Sequence, residues 1–209
     1  MAQFFSVHPD NPQPRLLRQA AEIVRSGDVI VYPTDSCYAL GCRLGDKPAE
    51  ERIRSIRQLG PNHHFALICR DLAEAAVYAR IDDRQFRLMK AATPGSYTFI
   101  LRATREVPRR LQHPRRKTIG LRIPDHNVVR SLLAELKEPL LSSTLILPEE
   151  DEPLNDAHEI RRRLEHQVDL VLDAGPCGIE PTTVVNLTGD TPLITRTGRG
   201  SVAPFTLAV

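Results

Sequence analysis

The chain predicts an α/β fold: one twisted sheet with helices packed against it. Two observations carry this. Short apolar runs rich in β-branched residues alternate with segments of helical periodicity along the whole chain, and neither an internal repeat nor a low-complexity tract interrupts the series. With 209 residues and 41% hydrophobic content the chain can bury a real core, and a single domain over residues 1–209 is expected.

Each element has its own signal. Leu16, Leu17, Ala20, Ile23 and Val24 repeat at helical spacing and stop at Gly27, a left-handed helix end before a strand over Val29 to Tyr32. Ile53 and Ile56 mark a second helix before a strand at Ala66 to Cys69, and Asp71 caps a third helix running to Ala79. Leu88 and Met89 belong to a fourth helix. Strands at Tyr97 to Leu101 and Thr118 to Ile123 flank a basic loop, followed by a helix at Val128 to Leu136 and a strand at Leu140 to Ser143. Asp156-Ala-His-Glu159 reads as a capping box with a carboxylate in place of the usual hydroxyl, so a helix starts at or near Asp156 and carries Ile160, Leu164 and Val168 on one stripe. Strands at Asp169 to Leu172, Val184 to Leu187 and Leu193 to Thr197 complete the order.

Composition narrows the classes. The opening Met-Ala-Gln-Phe-Phe-Ser-Val-His has no basic segment followed by an apolar run, and no stretch approaches the roughly 18 apolar residues of a membrane helix, so a cytoplasmic protein without membrane association is expected. Cys37, Cys42, Cys69 and Cys177 form no Cys-x-x-Cys pair and read as small buried hydrophobes, which leaves no metal site to expect. Oligomeric state has no signal in the sequence.

The stretch Val29 to Cys42 is the most telling. An apolar strand runs into Pro33-Thr34-Asp35-Ser36, where Pro33 fixes its own φ and biases Tyr32 toward an extended conformation, so small polar side chains leave the strand in a set direction. The pattern Pro33-Thr34-Asp35-x-x-Tyr38-x-Leu40-Gly41 resembles the signature Pro-Thr-(Glu/Asp)-Thr-x-Tyr-Gly-Leu of the YrdC/YciO family, which includes the threonylcarbamoyl-adenylate synthases. Five further segments match in family order: Pro94-Gly95-Ser96-Tyr97-Thr98-Phe99-Ile100-Leu101, Thr118-Ile119-Gly120-Leu121-Arg122-Ile123-Pro124, Pro139-Leu140-Leu141-Ser142-Ser143-Thr144, Pro181-Thr182-Thr183-Val184-Val185-Asn186 and Ile194-Thr195-Arg196-x-Gly198. Phe4-Phe5-x-Val-His-Pro-Asp-Asn-Pro at the start is similar to the YciO branch. The resemblance implies a single YrdC-like, twisted, open mixed sheet with flanking helices and a basic concave face.

It also implies a reaction: L-threonine, bicarbonate and ATP are joined into threonylcarbamoyl-adenylate, with release of pyrophosphate, for tRNA modification. ATP would be a substrate, accompanied by Mg2+, and the catalysis electrostatic, so no nucleophile motif is needed. By motif position, Thr34, Arg122 and Thr182 fall on the threonine side, Arg122 as the bidentate partner of its carboxylate. His63 or its neighbour His64, ahead of Phe65-Ala66-Leu67, lies near a substrate-contacting position. Thr98, Ser142, Thr144 and Arg196 match the nucleotide side, with Arg57 as the replacement for a motif lysine. No residue is assigned a catalytic role.

Two departures fall on the nucleotide side. Synthase members carry Lys-x-Arg where this chain has Arg57-Gln58-Leu59, and Ser-x-Asn where it has Thr144-Leu145-Ile146. Each lost charge-assisted contact is worth about 1.5–3 kcal/mol, so weakened or redirected activity is expected. A second reading rests on charge. Between Arg102 and Arg122 stand eight basic residues and one acid, Glu106, so Arg109, Arg110, Arg115, Arg116 and Lys117 form a candidate surface for tRNA or other double-stranded RNA; a solvated loop balanced by the acids at 149–152 is the alternative. Aromatic residues are 5% of the chain and none interleave the run, which favours phosphate and shape recognition over base stacking. A hydrolase reading ranks last, since no nucleophile or metal motif is recognisable.

Overall fold

A computed structural model describes residues 1–60 and 63–206. In chain order the elements are β1 (Gln3–Ser6), α1 (Pro14–Arg25), β2 (Ile30–Tyr32), β3 (Ala39–Arg43), α2 (Lys47–Ile56), β4 (Ala66–Ile68), α3 (Leu72–Tyr78), β5 (Ala79–Arg80), α4 (Asp83–Ala92), β6 (Tyr97–Ala103), β7 (Thr118–Arg122), α5 (Asn127–Leu136), β8 (Leu140–Thr144), α6 (Ala157–Leu164), β9 (Leu170–Asp173), β10 (Thr183–Asn186), β11 (Leu193–Arg196) and α7 (Ala203–Thr206). A 3-10 turn spans Arg109–Leu111.

All strands join one mixed sheet in the order β1-β9-β2-β3-β8-β4-β7-β6-β10-β11, with β5 added beside β6. The pairs β1/β9, β2/β9, β4/β7 and β6/β10 are parallel; the others are antiparallel. Helices lie on both faces. On one, α1 and α5 pack against each other and bury Leu17, Val24, Leu132 and Leu133 over β2, β8 and β9. On the other, α2, α4 and α6 place Ile53, Met89 and Ile160 against Leu67, Phe99, Leu121 and Leu141. Each such side chain, fully buried, contributes roughly 1.5–3 kcal/mol.

The N-cap signals hold, but the Asp156–Glu159 box does not close: among the described residues the Glu159 side chain accepts no bond from the Asp156 amide. Asp71 accepts from the Glu74 amide and Asp156 from the Glu159 amide, each at 2.8 Å, and Gly27 has φ +89°. A reciprocal capping box forms instead at Asp82 and Gln85, where the sequence was not read for one. Four elements were also missed: β1, β3, β5 and α7. β3 shows why. Ala-Leu-Gly-Cys-Arg has little strand pattern, and it is extended because β2 and β8 pair with it on both sides.

Candidate functional site

A cavity of about 460 Å³ opens over the part of the sheet that α1 and α5 leave uncovered. Strand alternation builds its floor. Ala66 and Ile68 of β4, Gly120 and Arg122 of β7, Thr98 and Ile100 of β6, and Val184 of β10 face the cavity, while Leu67, Leu121, Phe99 and Val185 enter the core behind. Register brings them side by side: Gly120 pairs with Ala66 and with Ile100, and Thr98 with Val184. Small residues keep the floor open. A Cβ on Gly120 would stand 3.3 Å from Thr98 Cγ2 and 3.4 Å from Ala66 Cβ.

At one end, Arg122 is 5% exposed. Its Nη2 donates to Asp35 Oδ1 at 2.9 Å and to Ser36 Oγ at 3.1 Å, and Ser96 Oγ donates to Asp35 Oδ2 at 3.0 Å. Arg122 Nε is buried without a partner among the described residues. Thr34 holds the turn that positions Asp35 and Ser36: its hydroxyl donates to the Cys37 carbonyl at 2.6 Å and accepts from the Ser36 and Cys37 amides, both at 3.2 Å. Thr34 does not line the cavity. Its hydroxyl is used by the turn, so the structure places it behind the residues that can meet a ligand.

At the β10 side, Arg196 donates through Nε to the Thr182 carbonyl at 3.0 Å and through Nη2 to Thr182 Oγ1 at 3.1 Å, and Thr98 and Thr182 share a hydrogen bond of 2.8 Å. Burial, with Arg122 nearby, pulls the Arg196 guanidinium below its ordinary pKa.

At the β8 side, Arg57 follows α2 as its C-terminal cap and reaches across to donate from Nε to the Ile146 carbonyl at 3.0 Å and from Nη1 to Ser143 Oγ. The two positions that depart from the synthase motifs therefore touch. Leu59, partly buried, packs against the edge of the core instead. His63 Nε2 lies 3.2 Å from the same Ser143 oxygen. Burial first, then the charges of Arg57 and Arg54 and the neighbouring His64, lower the His63 pKa to about 4. Ser142 lines the cavity, but its hydroxyl donates to the Leu40 carbonyl at 3.0 Å and meets Tyr32 Oη at 2.6 Å. Thr144 and Ile146 line the same wall.

The basic segment divides. Arg116 lines the cavity; Arg109, Arg115 and Lys117 are exposed outside it, and Arg110 is turned away to pair with the buried Glu50 at 3.0 Å. His113, to which the sequence reading gave no role, sits at the cavity wall: Nδ1 accepts from the Arg115 and Arg116 amides and its ring stacks on His64 at 4.9 Å. Sequence reasoning also passed over Asp35, Ser36 and Ser143 as site residues, although all three lie inside quoted motifs. Among the described residues no carboxylate lines the cavity, and no group of three or more His, Cys, Asp or Glu could hold a metal. Burial raises the thiol pKa of Cys37, and that of Cys177 to about 12, which leaves both unreactive.

The arrangement is an anion site: four guanidiniums, Arg57, Arg116, Arg122 and Arg196, around an apolar floor. Comparison with known proteins identifies the family. The Sua5_yciO_yrdC family model, whose description reads Telomere recombination, matches residues 22–198. The uncharacterized protein YciO of Escherichia coli is 57% identical over 205 residues, 98% of this chain and 100% of that one, and its crystal structure superposes with a TM-score of 0.95. A threonylcarbamoyl-AMP synthase of Vibrio vulnificus is 27% identical over 159 residues, 75% of this chain and 84% of the relative. The crystal structure of P. abyssi Sua5 complexed with L-threonine shares the fold at 23% identity and TM-score 0.85, covering 93% of this chain and 57% of Sua5.

Proposed function

We propose a function from one premise: this chain belongs to the Sua5/YciO/YrdC family. The cavity binds ATP and L-threonine and forms threonylcarbamoyl-adenylate, the activated precursor for tRNA threonylcarbamoyladenosine, at a rate reduced by the altered nucleotide side. The threonine amine adds to bicarbonate with loss of water; a carbamate oxygen then attacks the α-phosphate of ATP and pyrophosphate leaves. Negative charge grows on phosphate and carboxylate oxygens throughout, and guanidiniums held in place by the protein stabilise it without reorganising. Arg122 Nε takes the threonine carboxylate, Arg196 and Arg57 face the phosphates, and the hydroxyls of Thr98 and Thr182 complete the polar wall. The residues present do not fit a protein-held magnesium ion, so magnesium enters as part of the nucleotide substrate.

One observation carries this reading: the buried, unpartnered Nε of a cavity-lining arginine. Such a donor costs about 1–3 kcal/mol until an acceptor arrives, which a carboxylate supplies. The test is pyrophosphate and adenylate formation with ATP, magnesium and bicarbonate, with and without L-threonine, beside Arg122→Ala. A threonine-dependent signal lost in the variant is expected; absence of that signal in folded wild-type protein overturns the reading.

A second reading has its own observation. Arg109, Arg115, Arg116 and Lys117 are exposed, and none of them makes an ion pair among the described residues, so the loop is free to meet a polyanion such as tRNA or double-stranded RNA.

A further inference from the structure

Adenylate synthesis needs no protein nucleophile, yet the cavity wall holds the parts of one. Ser143 Oγ accepts from the Arg57 guanidinium and lies 3.2 Å from His63 Nε2. Its neighbour Ser142 is already committed to Leu40 and Tyr32. The imidazole is held in place: its ring meets Phe65 edge-on at 5.7 Å, and Arg54 covers that phenyl ring at 4.7 Å while donating to the Gly60 carbonyl at 3.3 Å.

We propose that Ser143, with His63 as its base, is a nucleophile that gives this cavity an acyl-transfer activity toward carbonyl groups activated by a phosphate leaving group, such as acyl- or carbamoyl-adenylates. With Nδ1 carrying the ring proton, His63 Nε2 accepts the Ser143 hydroxyl proton while the guanidinium beside the oxygen stabilises the emerging alkoxide. The oxygen adds to the carbonyl carbon; the bond from that carbon to the phosphate oxygen breaks, and the nucleoside monophosphate departs as an anion toward Arg196 and Arg116. Arg57 Nη2, without a protein partner among the described residues, is the donor available to the carbonyl oxygen. His63 gives the first proton up to solvent as the nucleoside monophosphate leaves; the neutral imidazole then deprotonates a water that adds to the ester carbonyl, the acid is released, and the proton held by His63 returns to Ser143 Oγ. The groups facing His63 are Arg54 and Arg57 from α2 and its cap, His64 beside it and Ser143 from β8; burial and the cations keep the imidazole neutral at neutral pH, with the Nε2 lone pair turned to the Ser143 hydroxyl.

This inference rests on the anion-binding cavity and not on threonine as substrate. The experiment is covalent labelling of the intact protein by a small alkyl fluorophosphonate, read by mass and peptide mapping, with hydrolysis of p-nitrophenyl acetate followed alongside. A single adduct at Ser143 is expected, absent in Ser143→Ala and formed about 100-fold more slowly in His63→Gln, with the wild-type rate level above pH 6 and falling toward pH 4. No adduct in wild type, an adduct elsewhere, or an unchanged rate in folded His63→Gln overturns it. Pyrophosphate formation is a separate measurement, so labelling without it retains this inference and removes the synthase reading.

Discussion

Arg57 takes the place of a motif lysine, and the difference is chemical as well as geometric. A lysine would offer one mobile charge; the planar guanidinium holds two acceptors of one wall, the Ile146 carbonyl and Ser143 Oγ, and is partly consumed by doing so. It also fixes the state of His63. Because burial and these cations bring the His63 pKa from 6.5 to about 4 in the folded protein, the unfolded chain binds the proton first as pH falls. Stability is therefore unaffected above about pH 6.5 and is lost progressively between there and pH 4. His126, lowered by burial in the same direction, is present in both proteins being compared. The expected outcome is a smaller loss of Tm between pH 7.5 and 5 in His63→Gln than in wild type, measured by thermal unfolding at each pH.

At the scale of elements, α2 links the core to the site. Its N-cap, Asp46, accepts from the Ala49 amide at 3.0 Å, Ile53 is fully buried, and the helix ends on Arg57. Truncating Ile53 to Ala removes a packed side chain between the helix and the sheet and is expected to cost about 2–5 kcal/mol, read from urea unfolding midpoints. Elements of this kind were legible from sequence, because caps and a 3.6-residue apolar period are local. β3 was not. Gly41 and Cys42 have weak strand preference, and the partners that extend them, β2 and β8, come from sequence positions up to a hundred residues away. Ser143 was hidden for a related reason: a serine in a strand looks like sheet packing until Arg57 and His63, both distant in sequence, are seen to converge on its oxygen.

Across the whole molecule, charge separates the two readings of function. The exposed Arg109, Arg115 and Lys117 lie outside the cavity, beside Arg116 at its wall, while Arg110 is used internally against Glu50. If double-stranded RNA lies on this patch, affinity falls linearly on a log–log plot against salt, and each of Arg109→Ala and Arg115→Ala lowers the slope by about one. Arg110→Ala acts instead through stability, since it removes one of the two guanidiniums, Arg54 and Arg110, that pair with the buried Glu50. Filter-binding or anisotropy titrations at several salt concentrations distinguish these outcomes, and a flat salt dependence removes the RNA reading. Among the described residues no helix is long and apolar enough to cross a membrane.

The sequence by itself determined the α/β class, most of the helices, the caps at Asp71 and Asp156, and six ordered motifs that mark the family, because periodicity, capping and turn chemistry are written in short stretches of chain. Only the tertiary structure decided which motif side chains meet in the cavity: Thr34 turned to its own loop, Arg122 paired with Asp35, Arg110 paired with Glu50, and Ser143 between Arg57 and His63. The physical reason is that a hydrogen bond or ion pair depends on separation in space, and in a mixed sheet with many crossovers that separation follows from strand order and register rather than from distance along the chain.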